Sequence, residues 1–189
     1  MGTNKDNFVK IGAGTLLIAE PYMYDPHFRR AVVLVCDHNT EGSVGFILNK
    51  TVGMNIGSLI ADFPEFESEV HFGGPVQTDS IHYIHSKGDL VEGSIEVGRG
   101  VYWGGDFEQL KFCIENKLIL QDEIRFFVGY SGWGEGQLVD EVGYVSWMLG
   151  ELDANYVFGK QKENLWRTVL EHEGDIKGVI GQMPLPHWN

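Results

Sequence analysis

Hydrophobic positions fall in short runs broken by Gly, Pro and Asp, a rhythm that suits strands joined by tight turns better than long helices. TLLIAE (15–20) reads as a first strand. A turn bounded by Pro21 and Pro26 leads to RAVVLVCD (30–37), apolar on both alternating faces, which predicts a central strand. His38 to Gly42 supply turn chemistry and SVGFILNK (43–50) returns, so the pair predicts a β-hairpin. In NIGSLIADF, Ile56, Leu59, Ile60 and Phe63 sit at helical spacing, with Asn55 as N-cap and Pro64 as stop.

Further strands are expected at VHFGGP (70–75), SIHYIHSK (80–87), SIEVG (94–98) and VYWGG (101–105). Asp106 and Gln109 form a capping-box pattern before FEQLKFCIENK, whose Phe107, Leu110, Ile114 and Leu118 share one helical face. IRFFVGY (124–130) is the next strand; Gly134 to Val142 predicts a helix that Gly143 ends. YVSWML (144–149) fits a strand or a continuation of that helix, and KENLWRTVLEH (162–172) a last helix carrying Leu165, Trp166, Val169 and Leu170. The segment around Pro184 and Pro186 reads as irregular. Strands outnumber helices and most links are too short for helical crossovers, so the expected fold is α+β with a mixed, largely antiparallel sheet. With 189 residues, 43% of them apolar, one core and one domain are expected, the core over about 15–170 and a tail over 171–189.

Charge narrows the partners. Asp+Glu 27 against Lys+Arg 14 gives a net charge of -13, which repels phosphodiester backbones and anionic lipid. Neither direct nucleic-acid binding nor membrane attachment is expected, and the Arg29-Arg30 pair borders a strand. Cys36 and Cys113 lie in apolar segments without CxxC spacing and read as buried thiols. The start MGTNKDNFVK has no secretory layout, and no apolar run approaches the roughly 20 residues of a membrane span, so a cytoplasmic location is expected.

The stretch GYSGWGEGQ (129–137) carries the candidate chemistry. A hydrolase elbow needs G-x-S-x-G because only small residues fit its strained turn, and here Trp133 replaces the last glycine after Ser131. Gly132, Gly134 and Gly136 give G-x-G-x-G, without the third glycine of a dinucleotide loop or the Lys-Ser/Thr of a P-loop. Tyr130, Trp133 and Gln137 can line a small pocket, or the aromatics can fill core while the glycines turn the backbone. His82 and His85, three apart in a strand, point to opposite faces and cannot share a metal ion. Gly73-Gly74-Pro75 implies either a close backbone approach or a turn whose amides meet a ligand. No catalytic residue, metal or cofactor is assigned.

DPHFRRAVVLVCDHNTEGSVGFILNK, HFGGPVQTD, GYSGWGEGQL with Glu141, and the late Trp166 resemble the YqgE/AlgH family of bacterial proteins over Thr15 to about Leu170. Thr51 and Glu135 stand where the family commonly has Pro, the tail after Leu170 is longer than in many members, and the family often has Ala at Ser131, against a nucleophile there. The resemblance implies a compact α+β domain with curved sheets in the bacterial cytosol and no established activity; one branch carries the label of a transcriptional regulator of alginate synthesis. The family-like polar turns point to one shared surface made by His38, Asn39, Asn49, Gly73, Gly74, Tyr130, Trp133 and Gln137. The expectation is a non-enzymatic binding or regulatory module acting through a small ligand or protein partner. The alternative is an enzyme using Ser131, His38 or Asp25, and direct DNA binding ranks last.

Overall fold

The computed structural model describes residues 10–160 and 164–184. Among these residues, ten strands form one mixed, mostly antiparallel sheet. They are β1 (Thr15–Ala19), β2 (Val32–Asn39), β3 (Gly42–Ile47), β4 (Thr51–Asn55), β5 (Glu69–Phe72), β6 (Val76–His85), β7 (Ile95–Gly98), β8 (Val101–Trp103), β9 (Ile124–Gly134) and β10 (Trp147–Glu151). The main order is β10-β1-β2-β3-β9-β6-β8-β7, with β4 and β5 branching from β9. The helices are α1 (Phe107–Glu115), α2 (Gln137–Gly143), α3 (Ala154–Phe158), α4 (Leu165–His172) and α5 (Asp175–Gly181).

The expected hairpin is β2–β3, and β2 lies between β1 and β3 with apolar side chains buried on both faces. Leu16, Ile18, Val32, Leu34 and Phe46 point to one core cluster, while Leu17, Ala19, Val33, Val35 and Ile47 point to another. The first cluster also contains Val97 and Val101 from the opposite end of the strand order, so the sheet curls into a half-barrel around it. Arg99 fastens the curl: Nη1 donates to Leu152 O at 2.8 Å, and Nη2 pairs with Glu151 at 2.7 Å. Helix α4 plugs the barrel with Leu165, Trp166, Val169 and Leu170, and the Trp166 indole donates to Ala19 O at 2.8 Å. A third cluster lies under α1, where Leu110, Cys113 and Ile114 meet Tyr83 and Phe126.

Several elements differ from expectation. Asn55 does cap, accepting from Gly57 N at 3.1 Å, but the helix after it is one 3₁₀ turn, Ile56–Ser58, and the preceding Thr51–Asn55 is strand β4. Asp106 accepts from Gln109 N at 2.8 Å; the Gln109 side chain leaves the box and accepts from Glu92 N at 2.8 Å. Leu118 lies beyond α1 and is exposed. In YVSWML the first three residues turn the chain after α2, and strand β10 starts only at Trp147, pairing with β1. The last expected helix begins at Leu165 as α4, residues 161–163 and Pro186 lying outside the described ones; α3 and α5 form in segments with no predicted helix.

The largest difference concerns GYSGWGEGQ. Strand β9 runs on to Gly134 because β3 pairs with its second half, Gly45 facing Ser131 and Ser43 facing Trp133. Ser131 therefore sits within a strand rather than on an elbow, and the turn falls at Glu135-Gly136 before α2.

Candidate functional site

Two backbone irregularities shape the mouth of the half-barrel. In β2 the register shifts, so that Val35 faces Gly45 but Asp37 faces Val44. A bulge swaps which face alternate side chains take, and here it turns Asp37 and Asn39 onto the concave face shared by Val44. The ladder between β6 and β9 is interrupted between Val76 and Ile81, opposite Gly129, and this brings Tyr130 onto the same face. Next along, Gly132 faces Val44 and leaves an open floor; a Cβ on it would stand 3.2 Å from the Tyr130 ring.

The resulting groove has a volume of about 460 Å³, and Asp37, Asn39, Glu41, Val44, Tyr130 and Gly132 are among its walls. Asn39 braces the rim. Its Nδ2 donates to Asp37 Oδ2 at 3.0 Å and its Oδ1 accepts from Glu41 N at 2.8 Å. Behind Tyr130, the His82 ring stands edge-on at 5.8 Å, and burial lowers its pKa from the usual value. The Ser80 hydroxyl gives its proton to Gln77 O and so accepts from His82 Nε2 at 3.0 Å.

The other residues singled out from the sequence have their polar groups engaged by the fold itself or lie apart from the groove. His38 takes the face away from Asp37, its Nδ1 2.7 Å from Ser43 Oγ. Trp133 borders the groove but is 6% exposed, its Nε1 donating to Glu141 Oε2 at 2.9 Å. Trp147 donates to the same oxygen at 2.8 Å, and Gln137 spans Gly134 N and Glu141 Oε1. Gly73 and Gly74 are buried, and a Cβ on Gly74 would overlap the Tyr130 carbonyl. Asn49 lies apart from the groove, clamping β2 by accepting from Val32 N at 2.9 Å and donating to Arg30 O at 2.8 Å. Ser131 is fully buried and its hydroxyl donates to Gly73 O at 3.0 Å, which leaves its oxygen no access to a substrate. Asp25 sits in a surface turn, accepting from His27 N at 2.8 Å. Cys36 and Cys113 are buried free thiols, and burial pushes both pKa values up.

A larger cleft, about 870 Å³, opens between β5, the loop after α1 and the turn after α3. Arg125, 4% exposed, forms part of its wall and donates to Leu48 O at 3.4 Å and Gly159 O at 3.0 Å. Burial pulls its pKa down to about 10, partly offset by Glu69, so it stays charged at neutral pH. Sequence reasoning passed over this cleft, although two signals were there. Arg125 is a lone charge inside an apolar run, and Glu65, Glu67 and Glu69 alternate along FPEFESE. Among the described residues no group of three or more His, Cys, Asp or Glu is placed to hold a metal ion, and no helix is long and apolar enough to cross a membrane.

The model of the AlgH-like family, DUF179, matches residues 16–176. A UPF0301 protein of Chlorobium limicola is 42% identical over 185 residues, covering 97% of this chain and 99% of the relative. The chain belongs to the AlgH-like family. A UPF0301 protein of Cytophaga hutchinsonii is 39% identical over 173 residues, 91% of this chain and 95% of its own. Two solved structures share the AlgH-like fold. A Corynebacterium diphtheriae protein superposes with a TM-score of 0.76 at 17% identity, over 97% of this chain and 95% of its own. The solution structure of the AlgH protein from Pseudomonas aeruginosa gives 0.72 at 23% identity, over the whole of both chains. At such identities the likeness concerns the fold alone.

Proposed function

We propose that this AlgH-like protein is a non-enzymatic binding or regulatory module that takes a positively charged group of a small ligand or protein partner in the mouth groove. The observation that carries the reading is the convergence of Asp37, Asn39, Glu41 and Tyr130 on one concave face. Barrel mouths are recurrent ligand sites, two carboxylates favour a cation, and a tyrosine ring face adds cation–π attraction. Ser131 offers an enzyme reading no support, since it lies on the other face of β9 with its hydroxyl committed to Gly73. With a net charge of -13, a regulatory role would run through a protein or small ligand rather than DNA contact, and salt-sensitive DNA binding in a gel shift would reverse that ordering.

The test is a thermal-shift screen of the purified protein against polyamines, amino acids, nucleotides, divalent metals and short peptides. A ligand that binds only the folded state at a hundredfold excess over Kd stabilises it by about 2.7 kcal/mol, a readable shift in a domain of this size. Cationic compounds should give the hits, and Tyr130→Ala or Asp37→Asn, in protein that still folds, should remove them. Hits confined to anions, or unchanged in both variants, would refute the assignment.

A further inference from the structure

The larger cleft joins two surfaces of opposite character. Its walls include Phe66, Ile114, Ile119, Ile124 and Phe158, and Leu120 at its edge is 52% exposed. Among the described residues its rim carries five exposed carboxylates, Glu65, Glu67, Glu69, Glu115 and Asp122, against two exposed cations, Lys117 and Lys160. A third cation among the described residues of the cleft, Arg125, is buried, held by two backbone carbonyl oxygens and favoured by the nearby Glu69 charge.

These features select an occupant. An apolar molecule would satisfy the walls and ignore the rim, whereas a fatty acid would bring a negative charge to a rim whose carboxylates outnumber its lysines. A small hydrated cation would leave the apolar walls wet. An amphipathic helix with Leu or Phe on one face and Lys or Arg beside it meets both, burying its apolar anchors in the cleft while its charges face the rim. We propose that the cleft is a docking site for a basic amphipathic helix of a partner protein. The site is separate from the mouth groove and stands on its own residues.

The experiment is fluorescence anisotropy with a labelled peptide of about 18 residues, built from Leu and Lys at amphipathic helical spacing, long enough to form a helix when bound. Two controls accompany it: a scramble of the same composition, and a Leu/Glu peptide of the same pattern. At physiological salt the Leu/Lys peptide should bind saturably with one-to-one stoichiometry, at least about tenfold tighter than the scramble, a difference of about 1.4 kcal/mol. The Leu/Glu peptide should not bind. Leu120→Asp and the pair Glu67→Lys with Glu115→Lys change only exposed side chains, and each should weaken binding by about tenfold or more, while Glu96→Lys, an exposed charge reversal outside both cavities, should leave it unchanged. Equal binding of the scramble, or full affinity in Leu120→Asp, would overturn the proposal by showing attraction to the acidic surface at large. No binding by the Leu/Lys peptide would overturn it as well.

Discussion

Glu141 shows how one side chain sets the local architecture. Its carboxylate accepts from the indoles of Trp133 and Trp147 and from the Gln137 amide, tying β9, α2 and β10 together. Both indoles are nearly buried, so removing the acceptor leaves two N–H groups without their partner, and hydrogen bonds to a charged group contribute roughly 1.5–3 kcal/mol each. Glu141→Leu should lower stability by about 2–4 kcal/mol in urea denaturation, and Glu141→Gln, which keeps an acceptor oxygen, by less. An unchanged urea midpoint for the Leu variant would show that the clamp contributes nothing. The same scale separates residues that the sequence made look alike. Asn39 and Asn49 are both polar and close to strand ends, but Asn39 braces a groove while Asn49 clamps backbone, and only the position of their partners, Asp37 in one case and Val32 and Arg30 in the other, tells them apart.

At the level of elements, the chain's periodicities held where one short segment decided the outcome and gave way where a distant strand did. The apolar residues of β2 are buried on both faces as expected, and those of β1 beside it are buried on both faces too. The strand through IRFFVGY ran four residues further than its apolar pattern, because β3 supplied a ladder up to Gly134. Gly73-Gly74 belongs here too. Gly73 N donates to Val128 O and Ile47 N to Gly73 O, so this turn is bonded into the sheet. Gly74 has φ +154° and presses against the Tyr130 backbone, a conformation and a distance that any side chain violates. Gly74→Ala should cost about 3 kcal/mol or more, combining roughly 1–3 kcal/mol of backbone strain with a similar overpacking term, as read from the thermal midpoint. A neutral substitution would mean that the two segments separate easily.

For the molecule as a whole, the half-barrel encloses titratable groups that its surface charge does not reveal. His85 is fully buried as the neutral ring, Nε2 donating to Gly104 O at 2.9 Å and Nδ1 accepting from Lys87 N at 3.2 Å. Burial lowers its pKa, as it does that of His82. A histidine whose folded value lies below the unfolded one, about 6.5, contributes its full stability above that pH and loses it as pH falls through the lowered value. The thermal midpoint should therefore be flat above pH 7 and decline from about 6.5 downward, with His85→Phe shallower over the same range. Equal slopes for both proteins between pH 7 and 5.5 would exclude His85 as a source of that decline.

By itself the sequence determined the α+β class, the largely antiparallel sheet, the central hairpin, the α4 face, the α1 face up to Ile114 and membership of the AlgH-like family, because each depends on local periodicity or on motifs in fixed order. It also brought forward Asn39, Tyr130 and Trp133, which border one groove. Only the tertiary structure decided that a bulge after Val35 re-aims Asp37, that Ser131 lies sealed under Gly73, and that Asn49 serves the backbone. It alone assembled the cleft from segments as far apart in the chain as Pro64 and Lys160. The reason is common to all of these: the face a side chain takes after a register shift, and the walls that close a cavity, depend on which strand lies alongside, and neighbouring strands here come from distant parts of the chain.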